Sequence, residues 1–328
     1  MPISPRHAAA ALASTTFIAA AAHAQLTPDR LYYGVNRAIP MTIEAPRDMG
    51  GEIEIVLHRH GVDEPVETAS AEAGRVDLAG LFPVLWTTSE HRVLFAQLRV
   101  GGVEVGPPVV LQPMLTPSRA VSQAGRISWR TPPAPVFSGL RAWTDRHIVL
   151  ETNLGEVEIA LRPDEAPNTV YHVLGLVEGG FYTDIIFHRV VPMSGSGHPF
   201  VVQAGDPTGR GDGGPGQFID LEKSELPHDF GVMSMARTND PDTNGSQFFL
   251  CLSREGTSFL DGNYTAFAQS VRGADTIVAL SRVALRDEQS GRPVEPPVIQ
   301  RAYTTPAPPF SQRPDPVSRP QGDAETPR

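Results

Sequence analysis

The sequence has a single cysteine and fewer basic than acidic residues. Cys251 is the only cysteine among 328 residues, so the chain cannot form an internal disulfide. It lies in the apolar residues 248–252, a setting that favours a small buried side chain over a reactive thiol. The 27 Lys and Arg against 37 Asp and Glu give a formal net charge of -10. Because nucleic acids and anionic membrane surfaces attract basic proteins, this charge argues against both as partners.

Little in the sequence could span a membrane. Residues 1–24 combine a short basic start, an alanine-rich run over 8–22 and Ala-His-Ala at 22–24, a pattern typical of a secretory signal peptide. An uncleaved anchor is the alternative, but the run is short for a bilayer span and contains three hydroxyl residues. No cysteine follows the cleavage site, which excludes lipid attachment there. We expect a mature protein that begins at Gln25, has no membrane span and is periplasmic or secreted.

Residues 25–137 contain short alternating apolar runs separated by glycine pairs, and no long helical period interrupts them. This pattern predicts a small antiparallel, β-sandwich-like domain. Its role is not evident from the residues. His58 and His60 could share a strand face, but two histidines are weak evidence for a metal site, and a solvated face is the preferred interpretation. The proline-rich residues 131–135 predict a linker.

Residues 138–302 predict a second domain made mainly of strands. Two runs over 147–161 flank Asn153-Leu154 and indicate a hairpin. A helix is predicted to begin at Pro167 and end at Gly179-Gly180, and a later helix covers 274–280. Residues 303–328 are polar and contain seven prolines, a composition that predicts a disordered tail.

Arg189 lies in the most informative stretch. Residues 185–191 are β-branched and aromatic and predict one strand closed by Pro192. Alternation would place Phe187, Arg189 and Val191 on one face. A charged side chain between two apolar neighbours is unusual and has to be explained. A structural ion pair or a snorkelling side chain is the ordinary explanation, and binding of a ligand is the functional one.

Several blocks after Arg189 decide between these explanations. They follow one another in the order 185–192 (IIFHRVVP), 200–206 (FVVQAGD), 231–236 (GVMSMA), 244–251 (NGSQFFLC) and 259–262 (FLDG). Together they resemble the signature blocks of the cyclophilin family of peptidyl-prolyl cis/trans isomerases, over about residues 146–283.

The resemblance implies a mainly β fold, a closed antiparallel β-barrel flanked by two helices, and an enzyme that needs no cofactor. It implies proline-containing peptides and folding proteins as substrates. It assigns catalysis to Arg189, backbone-holding amides to Gln203 and Gln247, and a segment that pairs with the peptide to Ala236, Arg237 and Thr238. The residues that it places around the proline are Phe200, Val201, Phe249, Phe259, Leu260 and Tyr264.

The chemistry of X-Pro rotation is consistent with catalysis by a single arginine side chain. The amide must break its C–N resonance, at a barrier of roughly 18 to 20 kcal/mol. Twisting returns a lone pair to the proline nitrogen, so a fixed donor aimed at it binds the transition state better than the ground state. A turnover of about 10³ per second would require about 7 kcal/mol from the site. One charged hydrogen bond supplies about 1.5 to 3 kcal/mol, so the remainder must come from a dry pocket that grips the chain.

The sequence departs from the family pattern in places and leaves other functions open. Phe259 and Tyr264 stand where many members have tryptophan and histidine, Arg237 replaces an asparagine, and residues 193–199 are extra. The barrel could instead be a proline-peptide-binding module or holdase chaperone with incidental catalysis. Alternatively, residues 25–137 could dock an envelope partner.

Overall fold

The computed structural model describes residues 25–45 and 50–320. The predicted signal peptide (1–24) and the last tail residues (321–328) lie outside the described residues. The chain forms two compact units that alternate along the sequence. One contains described residues up to 116, then 136–145 and 306–313, and we call it the sandwich unit. The other contains 117–135, 146–305 and 314–320, and we call it the barrel unit.

The strands, in chain order, are β1 (Gln25–Pro28), β2 (Tyr32–Gly34), β3 (Pro40–Glu44), β4 (Ile53–His58), β5 (Glu67–Ala71), β6 (Gly74–Asp77), β7 (Leu94–Val100), β8 (Val103–Leu115), β9 (Arg119–Gln123), β10 (Arg126–Arg130), β11 (Phe137–Thr144), β12 (Arg146–Thr152), β13 (Gly155–Leu161), β14 (Ile185–Ile186), β15 (Arg189–Val191), β16 (Val201–Ala204), β17 (Val232–Met235), β18 (Phe248–Cys251), β19 (Ala266–Arg272), β20 (Leu285–Asp287), β21 (Arg292–Pro293) and β22 (Val298–Pro306). The α-helices are α1 (Leu78–Leu81), α2 (Val84–Thr87), α3 (Pro167–Glu178), α4 (Arg254–Thr257) and α5 (Ala274–Ser281), and 3-10 turns cover Ser258–Leu260 and Phe310–Gln312.

The sandwich unit consists of two antiparallel sheets over one apolar core. The sheets have the orders β1-β3-β6 and β2-β11-β8-β7-β4-β5. Both contribute to a single buried cluster, for example Met41 from β3 and Leu57 from β4. This arrangement agrees with the expected β-sandwich, because each sheet buries one face against the other. The short helices α1 and α2 were not expected.

His58 in the sandwich unit corrects the expectation of a solvated histidine face. Its side chain is buried, its Nε2 lies 2.6 Å from Glu104 Oε1, and its ring stacks on Phe310 at 4.4 Å. The backbone N–H of Phe310 donates to Gln97 Oε1 at 2.9 Å. The apolar ring of Phe310 therefore fixes the path of residues 306–313.

The tail expected to be disordered from residue 303 follows a defined path over all its described residues. Strand β22 continues to Pro306, and beyond the 3-10 turn the N–H of Val317 donates to Ser270 O at 2.9 Å in the barrel unit. Proline content alone was misleading, because extended segments with a few backbone partners tolerate prolines.

The domain boundaries also differ from those expected. Strand β11 completes the six-stranded sheet of the sandwich unit, so this unit extends past residue 137 to Asp145. The proline-rich residues 131–135 follow the hairpin β9–β10 and remain in the barrel unit.

The main sheet of the barrel unit has nine strands in the order β14-β22-β12-β13-β19-β17-β18-β16-β15. Its two end strands, β14 and β15, are separated along the chain by only Phe187 and His188. Because two residues reach at most about 11 Å between Cα atoms, the sheet must curl until its ends meet. This confirms the predicted barrel.

The same short connection corrects the prediction of one strand over 185–191. The ladder is interrupted at Phe187 and His188, where pairing changes from β22 to β16. Phe187 is fully buried, whereas Arg189 is partly exposed.

The two helices expected beside the barrel are present as α3 and α5. Helix α3 has Pro167 at its first position and Gly179 as its C-cap, as predicted. Its N-cap, Ala166, offers no side-chain acceptor. The carboxylate of Glu222 caps it instead, accepting hydrogen bonds from Thr169 N at 2.6 Å and Asn168 N at 3.1 Å. Within the described residues, no helix is long and apolar enough to cross a membrane.

Candidate active site on the barrel

The register of four neighbouring strands lines up the central site residues. Arg189 pairs with Gln203, Gln203 with Phe249, and Phe249 with Ser234. The adjacent row of Val190, Val202, Leu250 and Met233 is at most 1 % exposed. Since side chains alternate across a strand, one row fills the barrel and the other carries the site on the opposite face.

Arg189 is oriented by a chain of amides. Its Nη1 donates to Gln203 Oε1 at 3.1 Å, Gln203 Nε2 donates to Gln247 Oε1 at 3.0 Å, and Gln247 Nε2 donates to Gly213 O at 2.9 Å. Burial lowers the pKa of Arg189, yet a guanidinium remains protonated. Among the described residues, no carboxylate forms an ion pair with Arg189, which argues against the structural ion pair considered from the sequence.

An apolar floor lies on the same face. Phe249, Val201 and Leu260 are buried in one cluster, and Phe200, Ala236 and Tyr264 pack against it. Phe249 contacts Tyr264 edge to face, with ring centroids 5.8 Å apart. These residues form an apolar surface beside a charged donor, which suits the ring of proline and the amide before it.

Phe259 lies at the rim of this floor. It stacks on Phe200 with centroids 5.7 Å apart and is 62 % exposed. The extra residues 193–199 precede Phe200 and form a turn in which Ser194 N donates to His198 O at 2.7 Å. Phe200 therefore connects the exposed rim to the floor.

The segment Ala236 to Thr238 borders a cleft of about 460 Å³ together with Gln203, Gln247 and the glycine-rich residues 211–217. Ala236 N donates to Gln247 O at 2.9 Å and Thr238 N donates to Thr243 Oγ1 at 3.1 Å. A bound peptide would therefore have to pair with other backbone groups of this segment.

The side chain of Arg237 lies over the ring of Tyr264. Its Cζ lies 4.5 Å from the centre of the Tyr264 ring, and its Nε and Nη2 donate to Asn263 O at 3.1 and 2.7 Å. Where many relatives are expected to carry a short asparagine, this chain thus places a charge at the aromatic rim.

Asp206 anchors the glycine-rich loop. Burial alone would raise its pKa, but hydrogen bonds from Thr208, Gly211 and Gly213 outweigh burial and lower the pKa to about 2. The Thr208 N–H donates to Asp206 Oδ1 at 2.7 Å. The loop is thereby held where Gly213 O receives the last hydrogen bond of the amide chain.

A buried polar network beside Phe249 was not foreseen. His228 Nε2 lies 3.0 Å from Ser234 Oγ, and His228 Nδ1 lies 2.9 Å from Asp261 Oδ1. Burial lowers the pKa of His228, while Asp261 opposes that effect. Burial would raise the pKa of Asp261, but hydrogen bonds from Arg254 and His228 lower it to about 2.

This Ser-His-Asp arrangement does not form a nucleophilic site, because Ser234 is fully buried. The His228 ring stacks on Phe249 at 6.1 Å, so the network supports the floor from the side of Ser234. Asp261 lies in the block after Leu260 and could have been noticed in the sequence, whereas His228 carried no signal. Cys251 is fully buried and burial raises its pKa, in agreement with an unreactive thiol.

Fold and site together define a barrel of the cyclophilin class. The family model for cyclophilin-type peptidyl-prolyl cis-trans isomerases matches residues 147–304. The peptidyl-prolyl cis-trans isomerase ppi1 of Schizosaccharomyces pombe is 37 % identical over 161 residues, covering 48 % of this chain and 97 % of that protein. A peptidyl-prolyl cis-trans isomerase of Synechococcus elongatus is 41 % identical over 122 residues, covering 37 % of this chain and 78 % of that protein.

A crystal structure of a Cryptosporidium parvum cyclophilin-type isomerase gives a TM-score of 0.45 at 31 % identity, covering 50 % of this chain and 99 % of that one. The chain belongs to the family of cyclophilin-type peptidyl-prolyl cis-trans isomerases.

Proposed function

We propose that the barrel unit accelerates rotation of X-Pro bonds in exported proteins, and that Arg189 stabilises the twisted amide. The observation that supports this most is the row Arg189, Gln203 and Phe249, which joins a fixed donor to an apolar floor. In this mechanism the floor holds the proline ring, and a guanidinium N–H not used by Gln203 donates to the proline nitrogen as its lone pair returns.

Gln203 and Gln247 have a positioning role. Because Gln203 accepts from Arg189 and donates to Gln247, rotation of either amide would break two hydrogen bonds. The arginine therefore needs little reorganisation when the amide twists, which is the condition under which a preorganised donor lowers a barrier most.

Replacement of Arg189 tests this mechanism. We expect Arg189→Ala to lower kcat/KM for an X-Pro peptide by roughly 10² to 10³, about 2.7 to 4 kcal/mol, by analogy with loss of an oxyanion donor. Arg189→Lys should recover only part, because an ammonium on a flexible stem lacks the planar donor geometry. NMR exchange spectroscopy on the peptide reports both affinity and interconversion rate.

An NMR spectrum of the Arg189→Ala protein itself shows whether the variant is folded, and this is the control. A folded Arg189→Ala protein that interconverts the isomers at the parental rate would remove Arg189 from the mechanism. If the wild-type protein binds the peptide without accelerating its rotation, the binding-module alternative replaces the enzymatic one.

Export is part of the same proposal and is supported by the sequence of residues 1–24. The clients would then be proteins folding in the periplasm or outside the cell, and the sandwich unit, with its own core, would dock a partner in the cell envelope. N-terminal sequencing of protein from the native host should begin at Gln25. Retention of Met1 would contradict export by cleavage.

A further inference from the structure

The hairpin β9–β10 forms part of the barrel unit although its flanking segments belong to the sandwich unit. Its strands pair from Arg119↔Arg130 to Gln123↔Arg126. The two turn residues Ala124 and Gly125 have φ of 50° and 75°, the positive values that a tight type I′ turn requires. The hairpin is therefore a regular element with a defined tip.

The tip borders a second cleft that adjoins the proline site. Ser122 and Gly125 line this cleft, of about 520 Å³, together with Arg237, Asn239, Phe259, Asn263 and Tyr264. Arg237, Phe259 and Tyr264 are residues already assigned to the rim of the site. A peptide held on the floor would thus pass close to the hairpin within a few residues of its proline, at about 3.3 Å per residue.

The polar groups of the cleft favour a negatively charged side chain. Arg237 uses three of its five N–H groups on the carbonyls of Asn263 and Thr238, which leaves two for a ligand. Among the described residues that line the cleft there is no carboxylate. The nearest acids along the chain already accept hydrogen bonds, Asp261 from His228 and Asp240 from the N–H of Asp242.

The charge of the hairpin lies on the face opposite to Ser122. Residues 117–135 contain three arginines and no acidic residue, in a chain whose net charge is -10. Two of them, Arg119 and Arg130, are directly paired across the strands, and Arg126 follows the tip. All three share the face of Ser128, so they contribute to the cleft only a positive potential at longer range, and Arg237 is the charge that a ligand there would contact.

We propose that this second cleft extends the substrate site and binds an Asp or Glu side chain of the same peptide, with the hairpin as its outer wall. The inference rests on the proposed isomerase function. It assigns a preference for acidic residues near the proline to Arg237 and to a hairpin that lies outside the matched family region.

Two serines of the hairpin provide matched variants. Ser122 pairs with Ile127, and Ser128 pairs with Val121, so their side chains lie on opposite faces of the same ribbon. Both serines are exposed. Ser122→Trp would fill the cleft, whereas Ser128→Trp places the same bulk on the face away from it.

The experiment compares peptides that share one Ala-Pro core and carry a single Glu, or the isosteric Gln, at successive positions on either side. For the full-length protein we expect kcat/KM to favour Glu by about threefold to tenfold at one or more positions, as for a charge-assisted contact open to solvent. The preference should shrink as salt is raised. Ser122→Trp should abolish it and Ser128→Trp should retain it.

Equal rates for Glu and Gln at every position would overturn the proposal, and so would a Ser122→Trp protein that behaves like Ser128→Trp. If Ser122→Trp does not fold, an NMR titration of the wild-type protein with the Glu and Gln peptides tests the proposal instead. The amide signals of Ser122 and Gly125 should then shift more with the Glu peptide than with the Gln peptide, and equal shifts overturn the proposal. Failure to accelerate even the neutral peptide would refute the isomerase function itself, a distinct result.

Discussion

At the scale of single residues, the side chain at position 259 leads to a prediction about inhibitor affinity. An indole at this position would add apolar area and an N–H donor that phenylalanine lacks. Because Phe259 is 62 % exposed, a donor there would be accessible to a ligand. We expect a cyclosporin-type macrocycle to bind this protein weakly, and Phe259→Trp to tighten that binding by about threefold to tenfold, the value of one net hydrogen bond. Calorimetric titration measures the change.

Phe259→Leu is the matched control, since it keeps an apolar side chain without adding a donor. If the tryptophan variant binds the macrocycle no better than the parent, the identity of residue 259 does not limit affinity.

The residues of the site differed in how far the sequence revealed them. Arg189, Gln203 and Phe249 could be predicted because they fall in ordered blocks, and the structure places them in one row. His228 could not, because its contacts to Ser234 and Asp261 depend on how a loop folds behind the floor. The position of Ser122 beside Phe259 depends on a hairpin far away in sequence, for which no local pattern exists.

At the scale of elements, helix α3 depends on an acceptor from another part of the chain. Glu222 receives four hydrogen bonds from the backbone and side chains of Asn168 and Thr169. We expect Glu222→Ala to lower the free energy of unfolding by about 1 to 3 kcal/mol, because it leaves first-turn donors without a partner. Urea unfolding monitored by circular dichroism measures this.

Glu225 supplies the comparison, since its largely exposed side chain forms a 3.6 Å ion pair with Lys223. Glu225→Ala should change stability by less than about 0.5 kcal/mol. Equal losses in the two variants would contradict a capping role for Glu222.

Element prediction succeeded where the signal was local. The hairpin of β12 and β13 and the ends of α3 follow from a two-residue turn, a proline and a glycine. The break at Phe187 and His188 could not be predicted from local sequence. The residues of this run favour a strand, and the break is imposed by closure of the barrel.

At the scale of the whole molecule, two buried histidines predict acid sensitivity. Burial lowers the pKa of His188, with Arg189 and Arg292 adding to the effect and Asp206 opposing it. Burial also lowers the pKa of His228, with Arg254 adding and Asp261 opposing. Below about pH 6.5 the unfolded chain binds protons that the folded one does not, so stability falls as pH falls, by at most about 1.4 kcal/mol per pH unit for each histidine.

Unfolding measured between pH 7 and 5 should show this slope, and His188→Phe should reduce it. The substitution removes no hydrogen bond, because neither ring nitrogen of His188 has a partner among the described residues. His198→Gln, at an exposed imidazole, is the control. Asp206 and Asp261, both with pKa near 2, add stability that is lost only as pH falls below about 4. An unchanged slope in His188→Phe would exclude His188 as a cause.

The alternation of the two units along the chain determines how they can be separated. A cut at residue 137 would remove β11 from the middle of its sheet, between β2 and β8. It would also leave residues 306–313 with the wrong fragment. Functional comparison of the units therefore requires point variants in the whole chain. Composition marks one crossing, since the proline-rich residues 131–135 end where the sandwich unit resumes at 136, but nothing in it shows that the chain returns to that unit at 306–313.

The same alternation sets an order of assembly during synthesis. The barrel is completed by β22, and the sandwich unit is completed by Phe310, which packs on His58 from the opposite end of the sequence. Each unit includes residues from 298–313, so neither unit is complete until those residues have been made. Many chains instead fold their first domain before the next is made. For an exported protein, as proposed here, this delay would favour crossing the membrane before folding is complete, since a segment that both units require is made late.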